Sequence, residues 1–541
     1  MKLKINYLLI LIFFLGILLR FIKLDSFPVS FSWDEVAIGY NAFTIAEKGI
    51  DEYGNKYPLL FKSFEDFKLP GYIYTDALFI KALGFSDFTV RLPSALSGAF
   101  LIIAVYFLFK KIFSERIGLI TSFLVAISPW ALQFSRAAFE ANLALFITVL
   151  GITLFFYGFK NKIFAFISFP ILFLSLYFYY SQRIIVPLIF LALLFLYRKG
   201  ISKNLKQYIS GLFLALILIA PMIVQILGPQ GAKRIAEVSI FSNSSISSEY
   251  LIAREKNSDK FYSFLINRRS PYIFETLHGY FQNLSFGFLF FGDDPSTRHR
   301  SFAHGLLYIV EIPLLLFGFY LIIKSKRKKE KFFILFWMLI APISSALSKE
   351  APHGLRSLTL FIPLLGIIAI AIENLITNHK KIIVLFLFLY PLSLVNYILS
   401  YYFVYPISDS YSWAYGHKQM YERIFSLEEK YERIVVTGDY WKPRIFYQYY
   451  KRSLPEKIEK KGDFEVLRKY FFASTYWDNG SVLDEKKIKN LKENRMLLVL
   501  SPSEYEGIKN SPNYSKIEEI RDYSGRKIVF VIGEWNSKNT D

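Results

Sequence analysis

The feature that most constrains this chain is a series of apolar runs, several of about 18 residues or more and nearly free of charge, recurring from about residue 5 to residue 404. At 1.5 Å per helical residue, such a run matches the ~30 Å hydrocarbon core of a bilayer. Hydropathy places spans at approximately 5 to 22, 88 to 109, 117 to 133, 140 to 159, 163 to 180, 184 to 197, 208 to 228, 303 to 323, 332 to 347, 355 to 376 and 382 to 404. The expectation is a polytopic α-helical membrane protein of about eleven transmembrane helices. A chain that is 53% hydrophobic and 18% aromatic is not a soluble enzyme of ordinary domains. With no cysteine, it is neither a disulfide scaffold nor a thiolate metal site.

The formal net charge of +20 suggests nucleic acid at first sight, but the cations have a better explanation. Lys2 and Lys4, Lys110 with Lys111 and Arg116, Lys160 with Lys162, Arg198 with Lys199, Lys324 to Lys331, and Lys380 with Lys381 fall at alternate ends of the spans. Cytoplasmic loops carry such an excess, so one orientation accounts for all of them and no nucleic-acid partner is expected. The N-terminus is then cytoplasmic and the C-terminus extracytoplasmic. The first run should remain as a helix, because it is too long for a signal-peptide core and lacks a small-residue cleavage site.

Two outer loops are long, at about 23–87 and 229–302, whereas compact connections usually run a few residues. The first contains Phe64 to Leu83, whose apolar residues suit a helix along the membrane surface. After about residue 405 the pattern becomes soluble α/β. Strand candidates at Arg433 to Thr437, Tyr470 to Ala473, Met496 to Leu500 and Lys527 to Ile532 alternate with charged helical stretches at Gln419 to Lys430, Asp484 to Lys492 and Pro502 to Lys509. The organisation expected is a transmembrane catalytic domain over 1–404 and an extracytoplasmic α/β domain over 405–541. No glycine-rich phosphate motif supports a nucleotide cofactor.

Ionisable groups at the outer face carry whatever chemistry the chain performs. Ser32-Trp33-Asp34-Glu35 follows the first span by about a dozen residues, and Ser32 or Asp34 there suits the cap of a helix running from Glu35 to Ala46. Capping and catalysis are compatible. Lys68, Arg91, Arg136, Glu140, Arg183 and Arg356 also map to outer ends or outer loops, against the positive-inside trend, and outward cations beside lipid suit an anionic headgroup. Arg183 equally suits interfacial snorkelling. His353 equally suits a capping contact, and His299 with His304 lack a third metal ligand at matching spacing.

Taken in order, Trp33-Asp34-Glu35, Lys68-Leu69-Pro70-Gly71, Arg91-Leu92-Pro93-Ser94 and Ser135-Arg136 with Glu140 resemble glycosyltransferase family 39 over roughly the first 200 residues. That family has the GT-C fold and includes the protein O-mannosyltransferases and the lipid A aminoarabinose transferase. The resemblance implies inverting transfer of a monosaccharide from a polyprenyl phosphate to an acceptor hydroxyl outside the membrane. It implies Asp34 as the acid that binds and deprotonates the acceptor, Lys68 as the donor-phosphate lysine, and Glu140 in place of a second acid that is usually Asp. Phe67 stands where an acid commonly precedes the lysine, and Leu69-Pro70 replaces Pro-Pro. A divalent metal is therefore left open.

The chemistry fits the same residues. A leaving lipid phosphate goes from one negative charge toward two while the sugar becomes cation-like, so the site needs fixed cations and one carboxylate. Asp34, Glu35 and Glu140 are the candidate acids. Lys68, Arg91, Arg136, Arg183 and Arg356 are the candidate phosphate-binding cations. Acceptors in view are a protein, a glycolipid or a cell-wall glycan. The rival reading is a transporter or lipid flippase, which would place ionisable groups at mid-membrane on broken helices.

Overall fold

The computed structural model describes residues 7–64, 66–228, 238–242, 248, 252, 267, 269–302, 304–473, 483–491, 493 and 495–537. Most of the second long loop expected at 229–302 lies outside these before residue 269. The chain resolves into two compact units. One gathers Met1–Leu24, Leu69–Tyr72 and Arg91–Ser400, and the other Asp25–Lys68, Ile73–Val90 and Tyr401–Asp541.

The first unit is helical. Among the described residues, five helical stretches are long and apolar enough to cross a membrane: Asp87–Ile112, Glu140–Tyr157, Gln182–Ile226, Leu358–Asn378 and Lys380–Trp413. A sixth is the pair Glu115–Ile127 and Pro129–Ser135, bent by 56°. Tyr7–Phe21 and Lys162–Tyr177 are shorter apolar helices. Helices long and apolar enough to span a bilayer are thus what several of the apolar runs build.

The stretch Gln182–Ile226 turns back on itself. A Cβ on Gly211 would meet the Phe166 carbonyl at 2.1 Å, and the Tyr177 hydroxyl donates to the Leu218 carbonyl at 2.6 Å. Helices Lys162–Leu174 and Leu205–Leu227 therefore lie side by side and parallel. Gln182–Ile201 returns between them in sequence, with Gln182 beside Thr148 at one end and Gly200 against the Phe159 ring at the other. The tight turn from Tyr179 to Arg183, between the spans expected at 163 to 180 and 184 to 197, makes this reversal, closed by Gln182 N–H on the Tyr179 carbonyl. Close helix approach also explains Gly151, where a Cβ would sit 2.7 Å from the Leu172 backbone.

The second unit is built on a seven-stranded sheet. Its strands are β3 (Arg433–Val436), β4 (Glu459–Lys461), β5 (Phe464–Leu467), β6 (Tyr470–Ala473), β7 (Arg495–Leu500), β8 (Tyr514–Arg521) and β9 (Ile528–Asn536). A separate hairpin in the first loop pairs β1 (Phe61–Ser63) with β2 (Asp66–Lys68). The sheet order is β4-β5-β6-β3-β7-β9-β8, parallel only where β3 meets β6 and β7. Central β3 and β7 are buried on both faces, and they read as the uninterrupted runs Ile434-Val435-Val436 and Met496 to Leu500. The edges β4 and β8 are rich in Lys and Glu, which discourages pairing with another chain.

The first loop joins this unit. Helix Trp33–Lys48 packs on helix Pro443–Lys451: the Tyr40 hydroxyl donates to the Ser453 carbonyl at 2.9 Å, and a Cβ on Gly39 would sit 2.8 Å from the Tyr449 ring. Trp33 stacks on Trp441 with ring centres 4.1 Å apart.

Candidate functional site

Asp34 and Lys68 are brought together. Ser32, extended at φ −67 and ψ 157, caps the helix that begins at Trp33, two residues before the start expected at Glu35. Its hydroxyl accepts from Glu35 N–H at 3.4 Å, and the Glu35 carboxylate returns the bond to Ser32 N–H at 3.1 Å. This capping box occupies Glu35, which is 1% exposed, in holding the helix start. Asp34, one residue earlier in the first turn, sits where the helix dipole favours an anion, and its side chain is 39% exposed.

Lys68 arrives by a different route. The segment from Phe64 begins not as a helix but as the turn of the β1–β2 hairpin, with Phe64 at φ +49 and Phe61 opposite Lys68. Pro70 then opens helix Pro70–Leu83, a position where its missing N–H costs nothing. The hairpin delivers the Lys68 ammonium to Asp34 at 2.5 Å, with Lys68 itself 8% exposed.

The other candidates lie in the helical unit. Arg136 is 2% exposed and caps the end of the first helix: its Nη1 donates to the carbonyls of Leu19 and Arg20, and its Nη2 to those of Ile22 and Lys23, at 2.7 to 3.3 Å. Arg91, fully buried, donates to the Leu24 carbonyl at 3.1 Å, so both arginines converge on this turn. Arg20 caps a different helix end. Its Nη atoms reach the Ala126 and Val125 carbonyls at 3.0 Å, at the end of helix Glu115–Ile127, and its Nε donates to the Ser135 hydroxyl. Glu140 is the first residue of helix Glu140–Tyr157. The Arg183 guanidinium lies 4.7 Å from the Tyr180 ring centre and reaches the Leu176 carbonyl.

Arg356 belongs to a polar cluster that the sequence only partly announces. It pairs with Glu350 at 3.0 Å and donates to the Ser348 hydroxyl at 2.8 Å. Buried Asp294 binds His299 at 3.1 Å and accepts Gly354 N–H at 2.7 Å, which pins the loop bearing His353 and Arg356. Burial first, then Arg356, His299 and Arg298, holds His353 well below the usual imidazole range. His299 is spent on Asp294 and His304 packs edge-on against Tyr397. Among the described residues, no three His, Asp or Glu side chains converge as metal ligands.

Sequence reasoning missed Arg20 and Asp294. A charge in the last turn of an otherwise uncharged helix is the signal that would have found Arg20.

Residues 68–224 match the family model described as dolichyl-phosphate-mannose-protein mannosyltransferase, a segment that contains Lys68, Arg91, Arg136, Glu140 and Arg183. Among solved structures, ArnT from Cupriavidus metallidurans is 12% identical with a TM-score of 0.55, covering 98% of each chain, both in the apo state and bound to undecaprenyl phosphate. The Archaeoglobus fulgidus oligosaccharyltransferase tethered with an acceptor peptide is 14% identical with a TM-score of 0.52, covering 91% of this chain and 68% of its own. No curated protein sequence matches. The fold is shared with the ArnT and oligosaccharyltransferase structures, and the matched segment is similar in sequence to the mannosyltransferase family, in accord with the resemblance read from the motifs.

Proposed function

We propose that this protein is an integral-membrane glycosyltransferase that moves a monosaccharide, with inversion, from a polyprenyl-phosphate donor to an acceptor hydroxyl on the extracytoplasmic face. The observation that carries the reading is the Asp34–Lys68 pair, a carboxylate on a helix N-terminus fixed 2.5 Å from a largely buried ammonium. The ammonium is a point charge, so a phosphate oxygen brought beside it is held electrostatically. The acceptor hydroxyl then lies between carboxylate and anomeric carbon. Its oxygen bonds to that carbon as the bond to the phosphate oxygen breaks. The proton passes to Asp34, and the second negative charge appears on the phosphate beside Lys68. The bound lipid in the ArnT structure and the tethered peptide in the oligosaccharyltransferase structure support a lipid-linked donor and a separate acceptor.

The same reading puts the N-terminus and Lys324 to Lys331 in the cytoplasm, the sheet domain outside, and about eleven crossings between. The loop after Lys324 sits at the end of helix Asp87–Ile112, where Arg327 donates to the Phe113 carbonyl at 2.8 Å. In this cysteine-free chain, a cysteine replacing Ser325 should escape an impermeant reagent in intact cells, while one replacing exposed Ser503 should react. Function is tested by incubating the purified protein in nanodiscs with radiolabelled polyprenyl-phosphate sugar and a membrane acceptor extract. Transfer of label with release of polyprenyl phosphate is the expected result. Movement of intact lipid between leaflets without cleavage would establish the flippase reading instead.

A further inference from the structure

The second unit contains a cavity of about 550 Å³ that none of Asp34, Glu35 and Lys68 lines. It lies among the segment just after the first helix, the turn that opens helix Asp87–Ile112, and the helices His417–Leu427 and Pro443–Lys451. Its size is that of a small-molecule site.

The lining has two kinds of surface. Phe31 and Tyr449 form a buried back wall, while Phe85 is partly covered and Phe88 is 37% exposed. Phe85 is held edge-on to Tyr449 at 4.8 Å and stacked on Phe43 at 4.8 Å, so its ring is fixed in place. The charges are Asp25, Asp87 and Glu422 against Lys418 and Arg452. Asp87 is already balanced, because it accepts from Lys418 at 3.0 Å and from the Tyr449 hydroxyl at 3.0 Å.

Each class of ligand meets this lining differently. With Asp87 paired to Lys418, an anionic ligand faces Asp25 and Glu422, and a cationic one faces Arg452. An acyl chain would strip water from five charged groups without replacing its hydrogen bonds, which is costly. An extended peptide gains main-chain bonds from a sheet edge, and among the described residues no strand residue lines the cavity. A neutral sugar suits all of it. Its hydroxyls both donate to carboxylates and accept from Lys, Arg and Tyr, and its C–H face stacks on an aromatic ring.

We infer that this cavity binds a neutral sugar unit and serves as a subsite for a carbohydrate acceptor, an assignment of acceptor class that rests on the transferase reading above. The helix start that carries Asp34 and the cavity-lining Phe31 are joined by only Ser32 and Trp33 in sequence. A glycan seated here is thereby held by the same first-loop segment that carries the proposed base.

The test uses the full-length protein in nanodiscs, without donor, on an array of immobilised neutral, anionic and cationic oligosaccharides. Undecaprenyl phosphate binding is measured in parallel. The wild type should retain neutral glycans. Phe88→Ala and Glu422→Gln should each weaken that retention by about tenfold or more, a difference of about 1.4 kcal/mol, while lipid binding and the unfolding midpoint stay unchanged. Glu422→Gln alters only an exposed charge, so it decides the matter if Phe88→Ala folds poorly. Absence of neutral-glycan retention, a preference for charged glycans, or equal retention by the Glu422→Gln variant would overturn the inference. Lipid binding without glycan binding sinks this proposal alone. Glycan binding without lipid binding counts against the transferase reading and leaves the cavity assignment standing.

Discussion

Two sets of charged groups are employed in opposite ways. In the helical unit, two arginines finish helices: Arg136 caps the turn after Tyr7–Phe21, and Arg20 caps Glu115–Ile127. In the sheet-bearing unit, Lys68 pairs with Asp34, a carboxylate that is 39% exposed. A guanidinium spread over four carbonyls holds structure, because the last carbonyls of a helix need donors and hydrocarbon supplies none. An ammonium paired with a carboxylate that is 39% exposed lies instead beside a group that solvent and ligand can reach. Position at a helix end therefore does not by itself mark a ligand-binding cation. What its donors reach does.

That contrast can be broken by substitution. Arg136→Met or Arg20→Met leaves several helix-end carbonyls without donors, and either should lower stability by about 3 kcal/mol or more, read as a fallen unfolding midpoint in nanodiscs. A midpoint near wild type would remove the capping account. Lys68→Ala should cost less than about 1 kcal/mol of stability, since its partner is partly hydrated. It should nevertheless weaken donor-lipid binding and lower turnover together, with Lys68→Arg recovering part of each. A Lys68→Ala protein that is unstable but binds donor normally would exchange the two roles.

A smaller effect sharpens the picture of the sheet-bearing unit. Burial pushes the Glu52 carboxyl from the ordinary 4.5 up to about 7, against the pull of Arg444 at 3.8 Å. The folded value lies above the unfolded one, so the unfolded chain loses its proton first as pH rises. The stability contribution is full below about 4.5 and is lost by about 7. The unfolding midpoint should fall by about 2–4 °C between mildly acidic and neutral pH, and Glu52→Gln should flatten that slope. An unchanged slope in the variant would assign the pH dependence to another group.

What the sequence made legible follows the range of the interactions involved. Apolar runs and the central strands β3, β6, β7 and β9 could be read because burial writes a local pattern. The edges β4 and β8 could not, since their Lys and Glu residues look like solvated loop. Phe64 to Leu83 reads as one amphipathic stretch, yet Phe64 turns a hairpin and the helix starts only at Pro70. Asp34 and Lys68 were singled out from motif order, but their contact joins residues 34 apart in the chain. The caps on Arg136 span 113 to 117 residues, and the bond from Tyr40 to Ser453 spans 413. No local pattern encodes those partners, and the sequence alone names neither the carbonyls that Arg136 reaches nor the helix on which Trp33–Lys48 packs.

The most direct test of the central claim is turnover of Asp34→Asn with a polyprenyl-phosphate sugar donor, alongside donor binding by the same protein. The substitution keeps shape and a hydrogen bond to Lys68 but removes proton acceptance. Turnover should fall by about 100-fold or more while donor affinity is largely kept. Turnover near wild type would make Asp34 only the partner that orients Lys68, and the base would have to be sought elsewhere, with Glu140 the first candidate.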